Sequence, residues 1–260
     1  MPTIREATRH LVPLFHGESR RPSVCGTSTF IAIDRVRYLV TAAHVLDENE
    51  AIHFGHGIIT GPTTGRVVST SIPPGGTRAN DRLDVAVLRL ADEQADRLVA
   101  IGREPISVPV WNADDQHTPG QTYIFSGYPA SRAEFNRRER TVDLGPMSAK
   151  CVVEGEPAFG RAGVDPRTHI VAQFDRHRMM DQEGRQVTAP GPWGMSGGPV
   201  WTARPDSDEL SLVGIGIEYL ERQNVLVGTR IGAAIALLRA SDPETCGTLP
   251  PPRFFTVSTE

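Results

Sequence analysis

The amino-acid sequence predicts an all-β fold, and three observations support this prediction. Its apolar runs are short and rich in Val, Ile, Thr and Phe, which favours strands over helices. The 25 glycines and 21 prolines supply the turns that a sandwich or a barrel needs between its strands. Few segments have a helical pattern. The 260 residues are enough for one large β domain or for two small barrels.

The predicted elements follow one another along most of the chain. Helices are expected at 92–100 and at 232–240, the second ending at Ser241-Asp242-Pro243. Turn-rich stretches at 102–105 and 175–192 are candidate breaks, and the second is expected to be an exposed polar loop. The tail from 250 onward is expected to be extended, with Phe254 and Phe255 packed on the body or on a partner. Strands are expected at residues 24–33, 38–41, 85–90, 106–111, 122–127, 170–174, 199–202, 210–217 and 225–230.

Charge and hydropathy exclude several classes of partner. The formal net charge of -4, without a basic block, gives no electrostatic support for nucleic-acid binding. No stretch of about 18 apolar residues occurs, so no membrane span is expected. Charged residues at Arg5, Glu6 and Arg9 interrupt the first residues, which therefore do not read as a secretory signal. These observations predict a cytoplasmic protein without nucleic-acid or membrane partners.

The sequence gives little support for a metal or a cofactor. Cys25, Cys151 and Cys246 are odd in number and widely spaced, so three reduced thiols are expected rather than a disulfide framework. No Cys-x-x-Cys pair is present, which argues against a structural zinc site. His53 and His56 lack a third ligand nearby, and this segment is expected to be a surface loop.

Three short segments carry residues with catalytic potential. His44 ends the run LVTAAH, although a lone histidine beside a strand more often has a structural role. Asp84 opens the apolar run DVAVL, where a carboxylate either faces solvent or has a partner. Ser196 lies in the glycine-rich segment GMSGGP, whose turn can project the hydroxyl while two backbone N–H groups converge on one point.

Together these segments are more specific than each alone. A serine needs a base to become a nucleophile, and the base needs a carboxylate to orient it. The chain offers one candidate for each role, in the order His44, Asp84, Ser196. The segment also fits the G-x-S-x-G elbow of α/β-hydrolases, but that fold places its histidine after the serine. Here the last histidine is His177, so the elbow interpretation fails.

The segments TAAH, DVAVL and GMSGGPV, in this order, resemble the signatures of the chymotrypsin-like (trypsin-like) serine peptidases. The resemblance implies two antiparallel six-stranded β-barrels with the active site in the cleft between them and a short C-terminal helix. It implies an N-terminal segment at 1–23, a first barrel at 24–103, a second barrel at 104–230 and a helix and tail at 231–260. It also implies that His44 acts as general base and then acid, that Asp84 orients it, and that Ser196 is the nucleophile. The oxyanion hole would be formed by the backbone N–H groups of Gly194 and Ser196.

The sequence differs from the secreted members of this family at two positions, and in both it resembles the bacterial, non-secreted members. Met195 stands where many secreted members have an aspartate that pairs with a new N-terminus after zymogen cleavage. A methionine cannot form this ion pair, and no Ile-Val-Gly-Gly-like activation site occurs near the start. Cys25 has no cysteine partner after the histidine, because Val45 follows His44. Activation by zymogen cleavage is therefore not expected.

The substrate pocket is predicted from the same resemblance. Ile217, Glu218 and Tyr219, on the strand after the serine loop, are expected to line it, with Pro190 near its floor. An uncharged floor does not favour a preference for Arg or Lys. Glu218 could attract a basic residue from the wall, although a glutamate at a strand edge is usually only solvated.

The predicted function is that of a selective intracellular bacterial serine endopeptidase, which forms an acyl-enzyme on Ser196. The alternative is a catalytically silent peptidase-fold protein with a binding or scaffold role. The expected partners are a protein or peptide substrate and a regulatory protein, and the resemblance suggests a role in defence or stress. An arginine cluster could bind an anion or a partner, although its glutamates, Glu134 and Glu139, favour a solvated loop. The cluster comprises Arg132, Arg137, Arg138 and Arg140.

Overall fold

The computed structural model describes residues 6–16, 22–47, 53–56, 58–62, 65–115, 118–136, 138, 141–181, 183–203 and 209–255. Strands are the commonest regular element among these residues and lie mainly in two sheets, which confirms the predicted all-β fold with small C-terminal helices. Arg137, Glu139 and Arg140 of the predicted arginine cluster lie outside the described residues.

The first sheet contains eight strands among the described residues rather than the expected six. Its order is β5-β4-β1-β2-β3-β7-β6, and β8 pairs in parallel with β2. These strands are β1 (Leu11–His16), β2 (Ser23–Ile33), β3 (Val36–Ala42), β4 (His53–His56), β5 (Ile58–Pro62), β6 (Val67–Ser69), β7 (Val85–Arg89) and β8 (Ile106–Ser107).

The second sheet has six antiparallel strands, in the order β12-β9-β16-β17-β18-β13. A bridge between Val153 and Ala172 joins its two outer strands and closes it into a barrel. Two short hairpins, β10–β11 and β14–β15, lie outside this sheet. The strands are β9 (Thr122–Gly127), β10 (Ala133–Asn136), β11 (Thr141–Leu144), β12 (Met147–Val152), β13 (His169–Gln173), β14 (Met179–Met180), β15 (Gln186–Val187), β16 (Pro199–Ala203), β17 (Leu210–Leu220) and β18 (Val225–Arg230).

Helix α4 (Ile231–Ser241) has only apolar residues in its first eight positions, and this part of it packs against both barrels. Its residues from Ile231 to Leu238 are all buried, as expected for a helix without a solvent face. Its core cluster combines Tyr38 and Val85 of the first barrel with Trp201 of the second. The helices are α1 (Ala43–Asp47), α2 (Asp92–Ala100), α3 (Glu156–Ala162), α4 (Ile231–Ser241) and α5 (Pro243–Cys246). None of the helices in the described ranges is long and apolar enough to cross a membrane.

Several local expectations differ from the structure. The strand expected at 106–111 is only the two residues of β8, followed by a 3-10 turn at Val108–Val110, since Pro109 has no N–H for a ladder. The segment at 53–56 is strand β4 rather than a loop, because Phe54 is buried in the core. The expected boundary near residue 23 cuts across the first sheet, since β1 pairs with β2 along its whole length.

Candidate active site

The pairing of two strands brings His44 and Asp84 together. Strands β3 and β7 are antiparallel with Ala42 opposite Val85, so the residues just beyond this pair meet. The backbone N–H of Ala43 donates to the carbonyl of Asp84 at 3.0 Å. His44 follows in the first turn of α1, directly over the carboxylate.

The carboxylate of Asp84 accepts two hydrogen bonds from His44. Imidazole Nδ1 lies 2.6 Å from Oδ2, and the backbone N–H of His44 donates to Oδ1 at 2.8 Å. A carboxylate only accepts, so Nδ1 carries the hydrogen and Nε2 keeps its lone pair. The side chain of Asp84 is 12% exposed and that of His44 is 29% exposed. This is the tautomer in which a histidine can take a proton at Nε2.

A polar network of the first barrel holds the loop before Asp84 against α1. The guanidinium of Arg78 donates to Asp47 at 2.6 Å and to Asp81 at 2.6 Å. Asp81 in turn accepts from the backbone N–H of Leu83 at 3.1 Å and from the hydroxyl of Thr70. Arg78 therefore links the end of the His44 helix to the Asp84 loop. The sequence analysis did not identify these residues, because no motif marks them.

Ser196 lies in the loop before β16, and this loop is bonded to strand β2 of the other barrel. The backbone N–H of Thr27 donates to the carbonyl of Ser196 at 2.8 Å. The hydroxyls of Thr27 and Thr29 donate to the carbonyls of Gly194 at 2.7 Å and Gly197 at 3.0 Å. Gly197 has a φ of +91°, and a Cβ there would lie 2.0 Å from the carbonyl oxygen of Thr27. Only glycine fits this approach.

The hydroxyl of Ser196 donates to the carbonyl of Ile217 at 3.1 Å. Ile217 lies at an irregularity of strand pairing between Gly216 and Glu218, where β17 departs from regular register with β18. A hydroxyl has one hydrogen, so the hydrogen of Ser196 is not directed at His44 in this conformation. Proton transfer to Nε2 requires this hydrogen to turn toward His44.

The backbone before Ser196 is held by a hydrogen bond from the turn that follows β9. The carbonyl of Trp193 accepts from the backbone N–H of Ala130 at 2.7 Å. In a trans peptide the C=O and N–H point in opposite directions, so the N–H of Gly194 points away from Ala130. The N–H groups of Gly194 and Ser196 have no acceptor among the described residues. They are the expected oxyanion-hole donors.

Met195 contributes to the loop by packing. It is buried in a cluster with Tyr123 and Phe125 of β9 and with Val200 of β16. Met195 thus makes apolar contacts at the position where many secreted members have an aspartate in an ion pair with the N-terminus. The loop conformation therefore does not require a charged partner at this residue.

The cavity beside Ser196 is small, with a volume of about 20 Å³. Ile217, Glu218 and Tyr219 border it as expected, and Pro192 takes the place that was expected for Pro190. The ring of Tyr219 contacts those of Phe174 and Trp193 edge-on, with centroids 5.5 Å and 6.3 Å apart. The pocket is thus narrowed by aromatic side chains. Leu226 and Val227 supply further apolar wall.

Other candidate sites carry less chemistry. A larger cavity of about 970 Å³ lies beside α4 and the C-terminal tail, but none of the predicted catalytic residues borders it. Phe255 of this tail packs near Gly232 at the start of α4. No cluster of three His, Cys, Asp or Glu suited to a metal ion occurs in the part of the chain that the structure describes.

Comparisons with known proteins identify the family to which the chain belongs. Residues 26–215 match the family model of the trypsin-like peptidase domain. The serine endoprotease from Yersinia pestis has a similar structure, with a TM-score of 0.50 and 14% identity over 94% of this chain and 68% of that chain. The MamO protease domain from Magnetospirillum magneticum gives a TM-score of 0.49 and 12% identity over 88% of this chain and 95% of that chain. No curated protein matches the sequence significantly.

Proposed function

Because the chain belongs to the trypsin-like peptidase family, we propose that it is a serine endopeptidase that works through an acyl-enzyme on Ser196. The observation that carries this proposal is the contact of 2.6 Å between His44 Nδ1 and the nearly buried carboxylate of Asp84. This contact leaves Nε2 as the basic atom at the cleft.

The reaction begins when the side chain of Ser196 turns from the carbonyl of Ile217 toward His44. Its oxygen attacks the carbonyl carbon of the scissile bond while Nε2 takes the proton. The N–H groups of Gly194 and Ser196 bind the oxyanion that forms. The imidazolium, stabilised by Asp84, gives its proton to the leaving amine. A water then attacks the acyl-enzyme with His44 again as base, and the acid product leaves.

The substrate backbone has a free strand edge on which to bind. Strand β16 begins at Pro199, which pairs with Ile215, whereas β17 continues to Leu220. Gly216 is bonded to the serine loop, so residues 218–220 have no neighbouring strand on that side among the described residues. An extended peptide can add a strand there.

The pocket supports a small uncharged side chain at the residue before the scissile bond. A volume of about 20 Å³ accommodates roughly one water-sized group, which suits Gly, Ala or Ser. The buried walls that Met195, Leu226 and Val227 form are apolar, and Glu218 is exposed. These features do not support the cleavage after Arg or Lys that a charged wall would favour.

Finer aspects of the function rest on the sequence. The proposed cytoplasmic location rests on the charge and hydropathy of the sequence. The proposed regulatory protein partner and the selective role in defence or stress rest on the resemblance to bacterial, non-secreted members. The alternative, a catalytically silent binding protein, has one observation in its favour. The hydroxyl of Ser196 is directed at a backbone carbonyl rather than at the base.

A fluorophosphonate probe near pH 8 separates the two candidates. We expect the wild-type protein to be labelled, Ser196→Ala to lose labelling and His44→Ala to react far more slowly. Ser148→Ala is a matched control, since this serine is exposed on β12 and should leave labelling unchanged. Folded wild-type protein that resists the probe, alone and with added peptides, would favour the silent alternative.

A further inference from the structure

We propose that His169 and Thr229, on the second barrel, are positioning residues that hold Asp84 in the orientation that His44 requires. This inference rests on the proposed function. It concerns two buried side chains that belong neither to the triad nor to the substrate pocket.

Each of these side chains donates a hydrogen bond to a carbonyl just before Asp84. Nε2 of His169 lies 2.6 Å from the carbonyl oxygen of Arg82. The hydroxyl of Thr229 donates to the carbonyl of Leu83 at 2.6 Å. Since a carbonyl only accepts, Nε2 of His169 carries the hydrogen. The two residues that precede Asp84 are therefore both fixed from the other barrel.

His169 and Thr229 are neighbours on two paired strands of the second barrel and therefore form one unit of hydrogen-bond donors. Strands β13 and β18 are antiparallel, and His169 lies directly opposite Thr229. Both residues are buried, with exposed fractions of 1% and 0%. Burial strengthens hydrogen bonds and makes a lost partner costly. The unit therefore constrains the backbone of the loop more strongly than two exposed side chains could.

The surroundings of His169 select the form of the ring that can donate. Burial lowers the pKa of His169, so the ring is neutral near pH 7. Nδ1 lies 2.8 Å from the hydroxyl of Thr168. In the neutral ring with its hydrogen on Nε2, this nitrogen is an acceptor, and the hydrogen of the Thr168 hydroxyl is shared between it and the carbonyl of Asp165 at 3.3 Å.

Asp84 itself needs this constraint because of its backbone conformation. Its φ is +47°, in the left-handed region that non-glycine residues rarely adopt. Its own carbonyl accepts from Ala43 at 3.0 Å. Three consecutive carbonyls, from residues 82 to 84, thus have donors, and two of these donors come from the barrel that carries Ser196. The pair therefore couples the orientation of Asp84 to the position of the second barrel.

Matched substitutions at Thr229 test this inference. Thr229→Val keeps the shape and removes the donor, whereas Thr229→Ser keeps the donor. We expect Thr229→Val to lower kcat by about 100-fold, as a misplaced catalytic group does, with KM unchanged. Thr229→Ser should retain kcat close to that of the wild type. Thr202→Val controls for the loss of a buried hydroxyl elsewhere, since Thr202 bonds Gln121 at 3.0 Å, and it should leave kcat unchanged.

A second readout does not depend on turnover. The hydrogen on Nδ1 of His44, bonded to Asp84, gives a far-downfield proton NMR signal that reports the geometry of this pair. We expect Thr229→Val to shift or broaden the signal and Thr229→Ser to preserve it. Equal losses of kcat for Val and Ser, with an unchanged NMR signal, would overturn the inference. If the wild-type protein is inactive, the proposed function fails, and the NMR comparison still decides whether the pair positions Asp84.

Discussion

Replacing Tyr219 by alanine should change which side chain the primary pocket accepts. The ring of Tyr219 borders the cavity of about 20 Å³ beside Ser196. It lies between Phe174 and Trp193, which hold it edge-on. Removing the ring opens space next to the apolar walls formed by Leu226 and Val227. A leucine before the scissile bond could then be buried where the wild-type pocket excludes it.

The size of the effect follows from the apolar surface that becomes accessible. Full burial of a leucine side chain is worth about 1.5–3 kcal/mol, which corresponds to roughly 10- to 150-fold in a rate constant. We therefore expect the ratio of kcat/KM for a leucine peptide over an alanine peptide to rise by this factor in Tyr219→Ala. The alanine peptide itself should change little, because its methyl group already fits.

The assay uses two peptides that differ only in the residue before the scissile bond, Ala or Leu. Tyr219→Phe is the control, since it keeps the ring and removes a hydroxyl that is buried without a partner among the described residues. Its leucine-to-alanine ratio should match that of the wild type. A wild-type protein that already prefers leucine, or a ratio that Tyr219→Ala does not change, would refute the reasoning from pocket volume.

Three further predictions concern the triad, the buried histidines and the thiols. Asp84→Asn should lower kcat by about 10⁴-fold, because an amide N–H facing His44 favours the wrong tautomer; peptide hydrolysis by folded protein checks this, and a loss below tenfold would contradict it. Burial lowers the pKa of His10 and His169, so below about pH 6.5 the unfolded state binds protons that the folded state does not, and the free energy of unfolding should fall as the pH drops from 7 to 5. Urea titrations between pH 7 and pH 5 measure the free energy of unfolding. A free energy that does not change over this range would argue against neutral rings for the two buried histidines. Burial raises the pKa of Cys25 and Cys151 to about 12, so iodoacetamide at pH 8 should label the folded protein far more slowly than the denatured chain, as mass spectrometry would show.

Strands with a continuous apolar run were predictable from the sequence, whereas other elements needed tertiary context. Strand β12 alternates buried and exposed residues, so half of its side chains are polar or solvent-facing and the apolar signal is weak. Strand β1 contains Pro13, which argues against a strand. Its pairing with β4 involves only Leu14 and Phe15, so the missing N–H of Pro13 interrupts no bond of that ladder.

Helices α1, α3 and α5 were not predicted, although local signals mark α3. Helix α3 has Pro157 at its start, and Gly163 follows its end with a φ of +69°. Proline in the first turn and glycine just past the last residue are the usual boundary signals of a helix. The segment is only seven residues long, too short for the apolar period to stand out.

The triad residues could be proposed from the sequence because each lies at the end of a strand-like run with its own local pattern. The residues that hold the triad loops in place could not be proposed from the sequence. Thr27 contacts the Ser196 loop from a position 167 residues away from Gly194. Thr229 contacts Leu83 from 146 residues away. Such contacts depend on how two barrels meet, and hydrophobic periodicity carries no information about the meeting of distant strands.

The geometry also bears on how such a site could become reactive without zymogen cleavage. The His44–Asp84 contact is formed, and the N–H of Gly194 points away from Ala130, which donates to the carbonyl of Trp193. The hydroxyl of Ser196 is directed at the carbonyl of Ile217 and must turn toward His44 for the proposed proton transfer. Rotation about a single side-chain bond between staggered positions is fast compared with turnover. The proposed reaction uses this rotation and the packing of Met195, and neither a new N-terminus nor an ion pair at Met195 takes part in it.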